Sequence, residues 1–357
     1  MKNLCGFLVA GLMLASCTRT GGDSLLLPFS ETPSFTAPAE SIPNNLSEDE
    51  ISTLKSLVLV DDYPLYTMQY VGDYNQRGST SLTPWTTSDG WACSLFAAFT
   101  DPRNMIFGRN FDWDYSPALL LFTHPADGYA SVSMVDIEFL GFNGGKALNL
   151  NEAPLADRVG LLDAPDLPFD GMNEKGLAVG MAAVPPGNME IDPDKPEIGS
   201  LGVIREILDH AANVDEAVNI LGRYNVLMEG GPPIHYLISD ASGKSSLVEF
   251  YEGEMVVEES GASWLAATNF LLAAAGGHPD GNCWRYDLLT SRLNEADGLL
   301  SIENGMKLLS NVAQDGTQWS VVYNVSTGEV HVVMGRDYDN PHILRLDLWA
   351  PNFGIQE

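Results

Sequence analysis

Three residues that could together perform nucleophilic catalysis lie within one short stretch of the sequence. Cys93 begins an apolar run, and Arg109 and Asp112 lie at the end of the next apolar run. A Pro/Asn/Asp turn at residues 100–104 separates the two runs, so the pattern predicts a β-hairpin. The end of the second strand would then return beside Cys93, where a cationic neighbour lowers the pKa of a thiol and favours the nucleophilic thiolate. Taken alone, a cysteine in an apolar strand is more often a small buried hydrophobic residue.

The residues around this cysteine resemble the start of the mature chain in a known group of enzymes. Cys93-Ser94, followed by Gly108-Arg109-Asn110 and then Asp112-Trp113, resembles cysteine-type N-terminal nucleophile (Ntn) hydrolases. These are the linear amide C–N hydrolases of the choloylglycine hydrolase family, with acid ceramidase and acyl-CoA:isopenicillin N acyltransferase relatives. In that family the cysteine becomes the first residue of the active chain and its own α-amine serves as the base. The resemblance therefore implies autoproteolysis between Ala92 and Cys93.

Three later residues resemble further parts of the same family pattern. The segment Gly171 to Gly180 resembles a Gly-x-Asn-x-x-Gly-Leu motif, which implies that the backbone N–H of Asn173 helps to hold the oxyanion. Thr268-Asn269 resembles a Thr-Asn pair whose side-chain amide points into the oxyanion hole, where it stabilises charge without taking the proton. Arg285 resembles the arginine that follows this pair. Taken alone, the two asparagines fit ordinary turns and Arg285 fits an exposed helix cation.

The reaction that the resemblance implies is hydrolysis of a linear, non-peptide amide bond in a small N-acyl substrate through a Cys93 thioester. The α-amine has an intrinsic pKa of roughly 7.7–8.0, which suits a general base near neutral pH. Asp112 would hold this amine, Arg109 would steady the thiolate, and Arg285 would support the site. An acyltransferase of the same fold, or a non-catalytic surface lipoprotein that binds a ligand in the same cleft, are the alternatives. The predicted catalytic residues are Cys93, Arg109, Asp112, Asn173, Asn269 and Arg285.

Composition and motifs argue against other kinds of chemistry. The six histidines show no His-x-x-x-His or His-Glu-x-x-His spacing, so no metal site is predicted, and no glycine-rich motif indicates a nucleotide cofactor. Gly-x-Ser-x-Gly is also absent, although Cys–His catalysis with His235 or His331 as the base stays open. The 48 acidic residues against 18 basic ones argue against a nucleic-acid partner.

The N-terminus has the pattern of an exported lipoprotein. Lys2 precedes the apolar run Leu4–Leu14 and then Ala15-Ser16-Cys17, which predicts a secretory signal that is too short to span a bilayer. The same residues resemble a bacterial lipobox, which implies lipidation at Cys17 and anchoring to the cell envelope, on the periplasmic or extracellular face. Ordinary signal cleavage with an incidental Cys17 is the alternative. Cys93 and Cys283 would then be left without a disulfide framework.

The order of the predicted elements indicates the fold class. We predict a signal peptide at 1–17, a flexible tether rich in Ser, Thr, Pro, Gly and Asn at 18–46, a pro-segment at 47–92 and a catalytic domain at 93–357. In the catalytic domain, strands are followed by two paired helices, the second capped by Asp215, then by strands, helices and strands, which suits two packed sheets with helices outside. The family resemblance sharpens this expectation to an α+β, four-layer αββα sandwich.

Overall fold

Strands dominate the architecture and form two large sheets and one small one. The computed structural model describes residues 46–74, 92–187, 189–228 and 231–348. The predicted signal peptide, nearly all of the tether and Cys17 lie outside these residues. The strands are β1 Val58–Asp61, β2 Leu65–Gln69, β3 Ala92–Ala98, β4 Ile106–Asp112, β5 Ala118–Thr123, β6 Ser131–Asp136, β7 Asp170–Asn173, β8 Ala178–Ala183, β9 Glu197–Gly199, β10 Asn225–Leu227, β11 Ile234–Ser239, β12 Ser245–Tyr251, β13 Glu254–Glu259, β14 Trp264–Ala267, β15 Thr317–Asn324, β16 Glu329–Met334 and β17 His342–Arg345.

The strand order separates the chain into its two large sheets. A nine-stranded sheet has the order β1-β2-β5-β6-β7-β8-β11-β12-β13, and a six-stranded sheet has the order β14-β3-β4-β15-β16-β17. Strands β9 and β10 form a separate parallel pair. The region predicted as an edge strand, residues 63–74, contains β2, and this prediction is wrong because β1 and β5 pair with β2 on either side.

Helices cover the outer face of each sheet. Helices α3 and α4 pack on β7, β8, β11 and β12 of the nine-stranded sheet, and α5 and α6 pack on strands of the six-stranded sheet. The chain therefore forms four layers in the order α, β, β, α, and the predicted sandwich is confirmed. None of the helices in the described ranges is long and apolar enough to cross a membrane. The helices are α1 Glu48–Lys55, α2 Leu155–Arg158, α3 Gly202–His210, α4 Val214–Arg223, α5 Trp284–Glu295 and α6 Ile302–Asn311, and short 3₁₀ turns lie at 137–140, 144–147, 150–152, 159–166 and 273–275.

The predicted hairpin of β3 and β4 lies at the centre of the six-stranded sheet and is buried on both faces. Its register places Cys93 opposite Phe111. Successive side chains of a strand point to opposite faces, so Leu95 belongs to the core between the sheets and Phe96 to the core under α5 and α6. Gly108 lies opposite Phe96, and a Cβ atom there would come within 2.3 Å of the phenyl ring. A glycine is therefore required for the ring to lie across β4.

One helix cap differs from the prediction. Helix α4 is capped by Asn213, whose side-chain oxygen accepts a hydrogen bond of 3.0 Å from the N–H of Glu216. Asn213 has the extended backbone that an N-cap needs, whereas Asp215 lies inside the first turn and pairs with Lys244 at 2.6 Å. The prediction of Asp215 as the cap is wrong by two residues.

Asp136 at the end of β6 makes stability depend on pH. Its buried carboxyl caps the next turn, accepting 2.9 Å from the N–H of Glu138, and burial raises its pKa to about 7. The unfolded chain loses this proton near pH 3.9, whereas the folded chain keeps it until about pH 7. The contribution of Asp136 to the free energy of unfolding is therefore most favourable below about pH 4 and is lost as the pH rises toward 7.

We expect Asp136→Asn, which keeps the capping oxygen, to leave Tm nearly unchanged at pH 4 and to raise it at pH 8. Thermal unfolding at the two pH values measures this difference. The exposed Asp127→Asn removes the same charge at the surface and serves as the control for the general effect of a net charge of −30. An equal gain from Asp136→Asn at both pH values would contradict the role of burial.

Candidate active site

Cys93 is the second residue of β3, and its side chain lies fully buried between the two sheets. The predicted hairpin brings Arg109 beside it, with Nη2 3.6 Å from the sulfur. Burial raises the pKa of the thiol, and Arg109 offsets only part of this effect. The predicted lowering of the thiol pKa is therefore wrong for the intact chain, because removal of water outweighs the neighbouring cation.

Arg109 is itself completely buried and is paired across the two sheets. Its Nη1 lies 2.5 Å from Oδ2 of Asp170 on β7, and the hydroxyl of Tyr323 donates to the other carboxylate oxygen at 2.5 Å. Its guanidinium carbon also lies 5.0 Å from the ring centroid of Phe111. Asp170 was not predicted. The sequence did contain a signal for Asp170: it is the acidic residue of an otherwise uncharged strand and directly precedes the Gly171 motif. Because a buried charge needs a partner, such a residue indicates a pairing with a buried cation.

The backbone nitrogen of Cys93 is held by the side chain of Asn269. Strand β14 pairs with β3 with Ala267 opposite Leu95, so the chain emerges from β14 beside the start of β3. Oδ1 of Asn269 accepts 2.7 Å from the Cys93 N–H, and Nδ2 donates 2.8 Å to the carbonyl of Ala183. The oxygen of the Asn269 side chain faces N–H donors and its nitrogen faces a carbonyl acceptor, so these partners determine which way the amide is oriented.

Arg285 lies in the first turn of α5 and points into the site rather than to the surface. Its Nη2 donates 2.8 Å to Oδ1 of Asn269. Its Nη1 donates to the carbonyl of Cys93 and, at 3.0 Å, to the hydroxyl of Ser94. The residue is 6% exposed, so the alternative of an exposed helix cation does not describe it. Asn269 and Arg285 together hold the nitrogen and the carbonyl of Cys93.

Asp112 lies at the end of β4, beside the bond between Ala92 and Cys93. It pairs with Ala92 in the strand register, and its carboxylate accepts hydrogen bonds from Thr317 Oγ1 at 2.5 Å and Gln314 Nε2 at 2.9 Å. Arg285 Nη1 lies 3.9 Å from the same carboxylate. Among the described residues of the uncut chain, the Cys93 nitrogen donates to Asn269. The contact of Asp112 with the free α-amine of the cleaved chain stays a prediction. Burial raises the pKa of Asp112, partly offset by Thr317 and Gln314.

Asn173 does not take part in the site, and the prediction that its backbone N–H holds an oxyanion is wrong. That N–H donates 2.9 Å to the carbonyl of Leu177 within the β7–β8 turn. Its side-chain amide donates 3.0 Å to Leu208 and 2.7 Å to Ala211 at the end of α3. The asparagine therefore closes its own turn and ties it to a helix. It is Ala183, at the other end of β8, that reaches Asn269.

The two histidines considered as alternative bases are paired elsewhere. Nδ1 of His235 lies 2.8 Å from Oε1 of the buried Glu249, and Nε2 of His331 lies 2.5 Å from Oε1 of Glu329. Neither ring has a hydrogen bond with Cys93 in the described ranges. Across the same ranges, no group of three or more His, Cys, Asp or Glu side chains is arranged to hold a metal ion.

The amino-acid sequence of this chain is similar to those of two curated proteins. A curated penicillin V acylase from Pectobacterium atrosepticum is 27% identical over 187 residues, which cover 47% of this chain and 47% of that protein. An uncharacterized protein from Archaeoglobus fulgidus is 22% identical over 265 residues, 65% of this chain and 39% of that protein. The matches thus span less than half the length of both relatives.

A solved structure supports the fold. A mutant of conjugated bile acid hydrolase from Clostridium perfringens superposes with a TM-score of 0.52 at 16% identity, covering 71% of this chain and 92% of that chain. The family pattern described as "Linear amide C-N hydrolases, choloylglycine hydrolase family" matches residues 93–265. The resemblance indicated by the motifs is confirmed: the segment from Cys93 to Leu265 matches the pattern of the linear amide C–N hydrolases of the choloylglycine hydrolase family.

Proposed function

We propose that this protein hydrolyses the linear amide bond of a small N-acyl substrate through a thioester on Cys93, after autoproteolysis between Ala92 and Cys93. One observation carries the proposal: the Cys93 nitrogen is already held by Asn269 Oδ1 at 2.7 Å, with Arg109 Nη2 3.6 Å from the thiol. The nitrogen that would become the α-amine and the thiol that would be the nucleophile both belong to Cys93, and each of them already has a polar side chain beside it. The family match also begins at Cys93.

Autoproteolysis frees that nitrogen. The Cys93 sulfur attacks the carbonyl carbon of Ala92, the amide C–N bond breaks, and the nitrogen takes the thiol proton to become an amine. The acyl group of Ala92 then resides on the sulfur as a thioester, which water hydrolyses. Since a neutral or protonated amine still donates hydrogen bonds, its contact with Asn269 can be kept through the step.

In the mature enzyme the amine takes the thiol proton and the thiolate attacks the substrate carbonyl. The amine passes this proton to the departing nitrogen as the C–N bond breaks and the thioester forms. Water then hydrolyses the thioester, which releases the acyl group as a carboxylic acid and restores the thiol. Arg109 stabilises the thiolate electrostatically. One amide hydrogen of Asn269 is used by the carbonyl of Ala183, and the second serves the developing oxyanion. Arg285 holds the carboxamide by its oxygen and so fixes the direction of this donor. Asp112 supports Arg285 at 3.9 Å.

An apolar cleft next to the site supports an acyl group as the part of the substrate that is bound. The cleft has a volume of about 360 Å³. One of its lining residues is Val184, which directly follows Ala183, the residue whose carbonyl binds Asn269. Thioether and aliphatic side chains line it, a surface suited to an apolar chain rather than to a charged group. The lining side chains include Val184, Met189, Ile191, Val226, Met228, Ile234 and Phe250.

Maturation should depend on Cys93 and not on the other described cysteine. We expect wild-type protein to separate into two polypeptides on a denaturing gel, the larger beginning at Cys93 by mass spectrometry. Cys93→Ala should remain one chain, because no thioester can form. The matched control Cys283→Ser, at the half-buried free cysteine before α5, should cleave as the wild type does. A wild-type chain that stays intact and still hydrolyses amides would refute the N-terminal amine mechanism.

Loss of the Asn269 amide should affect rate more than substrate binding. We expect Asn269→Ala to lower kcat by about 10²–10³, the usual effect of removing one oxyanion donor, with little change in KM. Steady-state kinetics must use material shown to carry a free Cys93, because self-cleavage also passes through an oxyanion. The exposed Asn282→Ala is the control and should keep wild-type kinetics. An unchanged kcat for matured Asn269→Ala would remove Asn269 from the mechanism.

We also propose that the exported protein carries a lipid on Cys17, which lies outside the described residues. The supporting pattern is the apolar run followed by Leu14-Ala15-Ser16-Cys17. Cells grown with a labelled fatty acid should label the wild-type protein, and Cys17→Ser should lose the label because the acyl acceptor is gone. Equal labelling of the two proteins would exclude Cys17 as the attachment site.

A further inference from the structure

We propose that Glu249, supported by His235, is a positioning residue for the reaction: it fixes the chain that follows Asn269 and thereby sets the direction of the Asn269 amide. The proposal rests on the proposed function, in which this amide stabilises the oxyanion. Glu249 and His235 act through Asn269 and not as an acid or a base. The histidine that the sequence left open as a base therefore has a different role.

Glu249 is a carboxyl group inside the protein. It lies on β12 and is 0% exposed. A buried charge is unfavourable unless hydrogen bonds replace the water that it has lost. In the described ranges its two oxygens bind three N–H groups, and two of these groups belong to the backbone of one loop. The carboxylate therefore joins β12 to that loop.

The loop held by Glu249 begins at the proposed oxyanion donor. The N–H of Leu272 donates 3.0 Å to Oε1 of Glu249, and the N–H of Ala273 donates 2.8 Å to Oε2. Leu272 is the third residue after Asn269. Because the two N–H groups bind different oxygens, the carboxylate fixes the orientation of the loop as well as its distance from β12.

His235 holds the carboxylate in place. It lies on β11, opposite Ala182 of β8, and its Nδ1 is 2.8 Å from Oε1 of Glu249. The histidine is 1% exposed, so water does not compete for this contact. Ala183, the next residue of β8, accepts the hydrogen bond from Nδ2 of Asn269. Strand β8 is thus linked to the Asn269 amide directly and to the following loop through His235 and Glu249.

The loop is also attached to α5, on the side of Arg285. The ring of Phe270 packs edge-to-face on Tyr286, with ring centroids 5.2 Å apart. Tyr286 directly follows Arg285, whose Nη2 binds Oδ1 of Asn269. Loss of the Glu249 contacts would leave two backbone N–H groups without these partners and release the loop on the side of β12. A shift of about 1 Å at a reacting group can cost about 10²-fold in rate.

The first test removes one acceptor and keeps the size of the side chain. Glu249→Gln replaces one oxygen by an NH₂ group, which cannot accept from an N–H. We expect the matured variant to lose between about tenfold and 10²-fold in kcat with little change in KM, because the amide acts in the transition state. The control Glu258→Gln makes the same change at an exposed position on β13 and should keep wild-type kinetics. A wild-type kcat for Glu249→Gln would overturn the proposal.

A double-mutant cycle separates positioning from general damage to the fold. In the Asn269→Ala background no amide is left to position, so Glu249→Gln should lower kcat by less than about twofold further. All variants are assayed as material shown to carry a free Cys93. Two losses that simply multiply would overturn the proposal, because Glu249 would then act elsewhere. An unchanged kcat for Asn269→Ala alone would instead overturn the oxyanion role in the proposed function.

A second pair of variants tests the contact from the loop and leaves β12 unchanged, so it decides the question if Glu249→Gln does not fold. Leu272 has a φ of −63°, which a proline ring fits, so Leu272→Pro removes the N–H and keeps this angle. Leu272→Ala loses the same side chain, keeps the N–H and is the matched control. We expect kcat of Leu272→Pro to be about tenfold below that of Leu272→Ala, as for one hydrogen bond to a charged group. Equal kcat values for the two would overturn the proposal.

Discussion

A guanidinium without contact to solvent lies between the two sheets of this protein. Arg109 comes from the six-stranded sheet and its partner Asp170 from the nine-stranded sheet, at 2.5 Å. Removing one partner of such a buried pair typically costs about 3–5 kcal/mol, because the other charge is left uncompensated. The pair therefore fixes how the two sheets face each other. Nη2 of the same guanidinium lies 3.6 Å from the Cys93 sulfur, so the pair that joins the two sheets also holds a cation beside the thiol.

On the side of β3 that faces β14, the backbone of Cys93 is held by side chains because the pairing between these two strands ends before it. Strand β14 pairs with β3 from Ala98 only as far as Leu95. The N–H and the carbonyl of Cys93 are taken by Asn269 and Arg285. A peptide bond that is cut at this point removes nothing from the ladder with β14. The pairing of β3 with β14 can therefore persist when the chain on the N-terminal side of Cys93 is detached, whereas Ala92, which pairs with Asp112 of β4, belongs to the detached part.

The sequence alone predicted those contacts of the site that arise from a local pattern. It did not predict the contacts between strands that are distant along the chain. The hairpin that places Arg109 beside Cys93 follows from two apolar runs and a turn, and the family resemblance added Asn269 and Arg285. Asp170 could not be identified, because its importance arises only when the two sheets stack. Asn173 was misassigned, because a turn motif satisfies its own N–H before any ligand can use it. The side-chain partners of Asp112 come from β15 and the loop before it, which no local pattern indicates.

The distance along the chain between the parts of the site has a consequence for timing. Asn269 and Arg285 follow Cys93 by 176 and 192 residues. A ribosome that has synthesised the chain through β8 has already made the thiol, Arg109 and Asp170, but none of the groups that hold the Cys93 backbone. Contacts of such long separation form late, since the intervening chain must first be ordered. In the proposed mechanism, the reaction of this cysteine is therefore available only to a chain that has been synthesised and folded through α5.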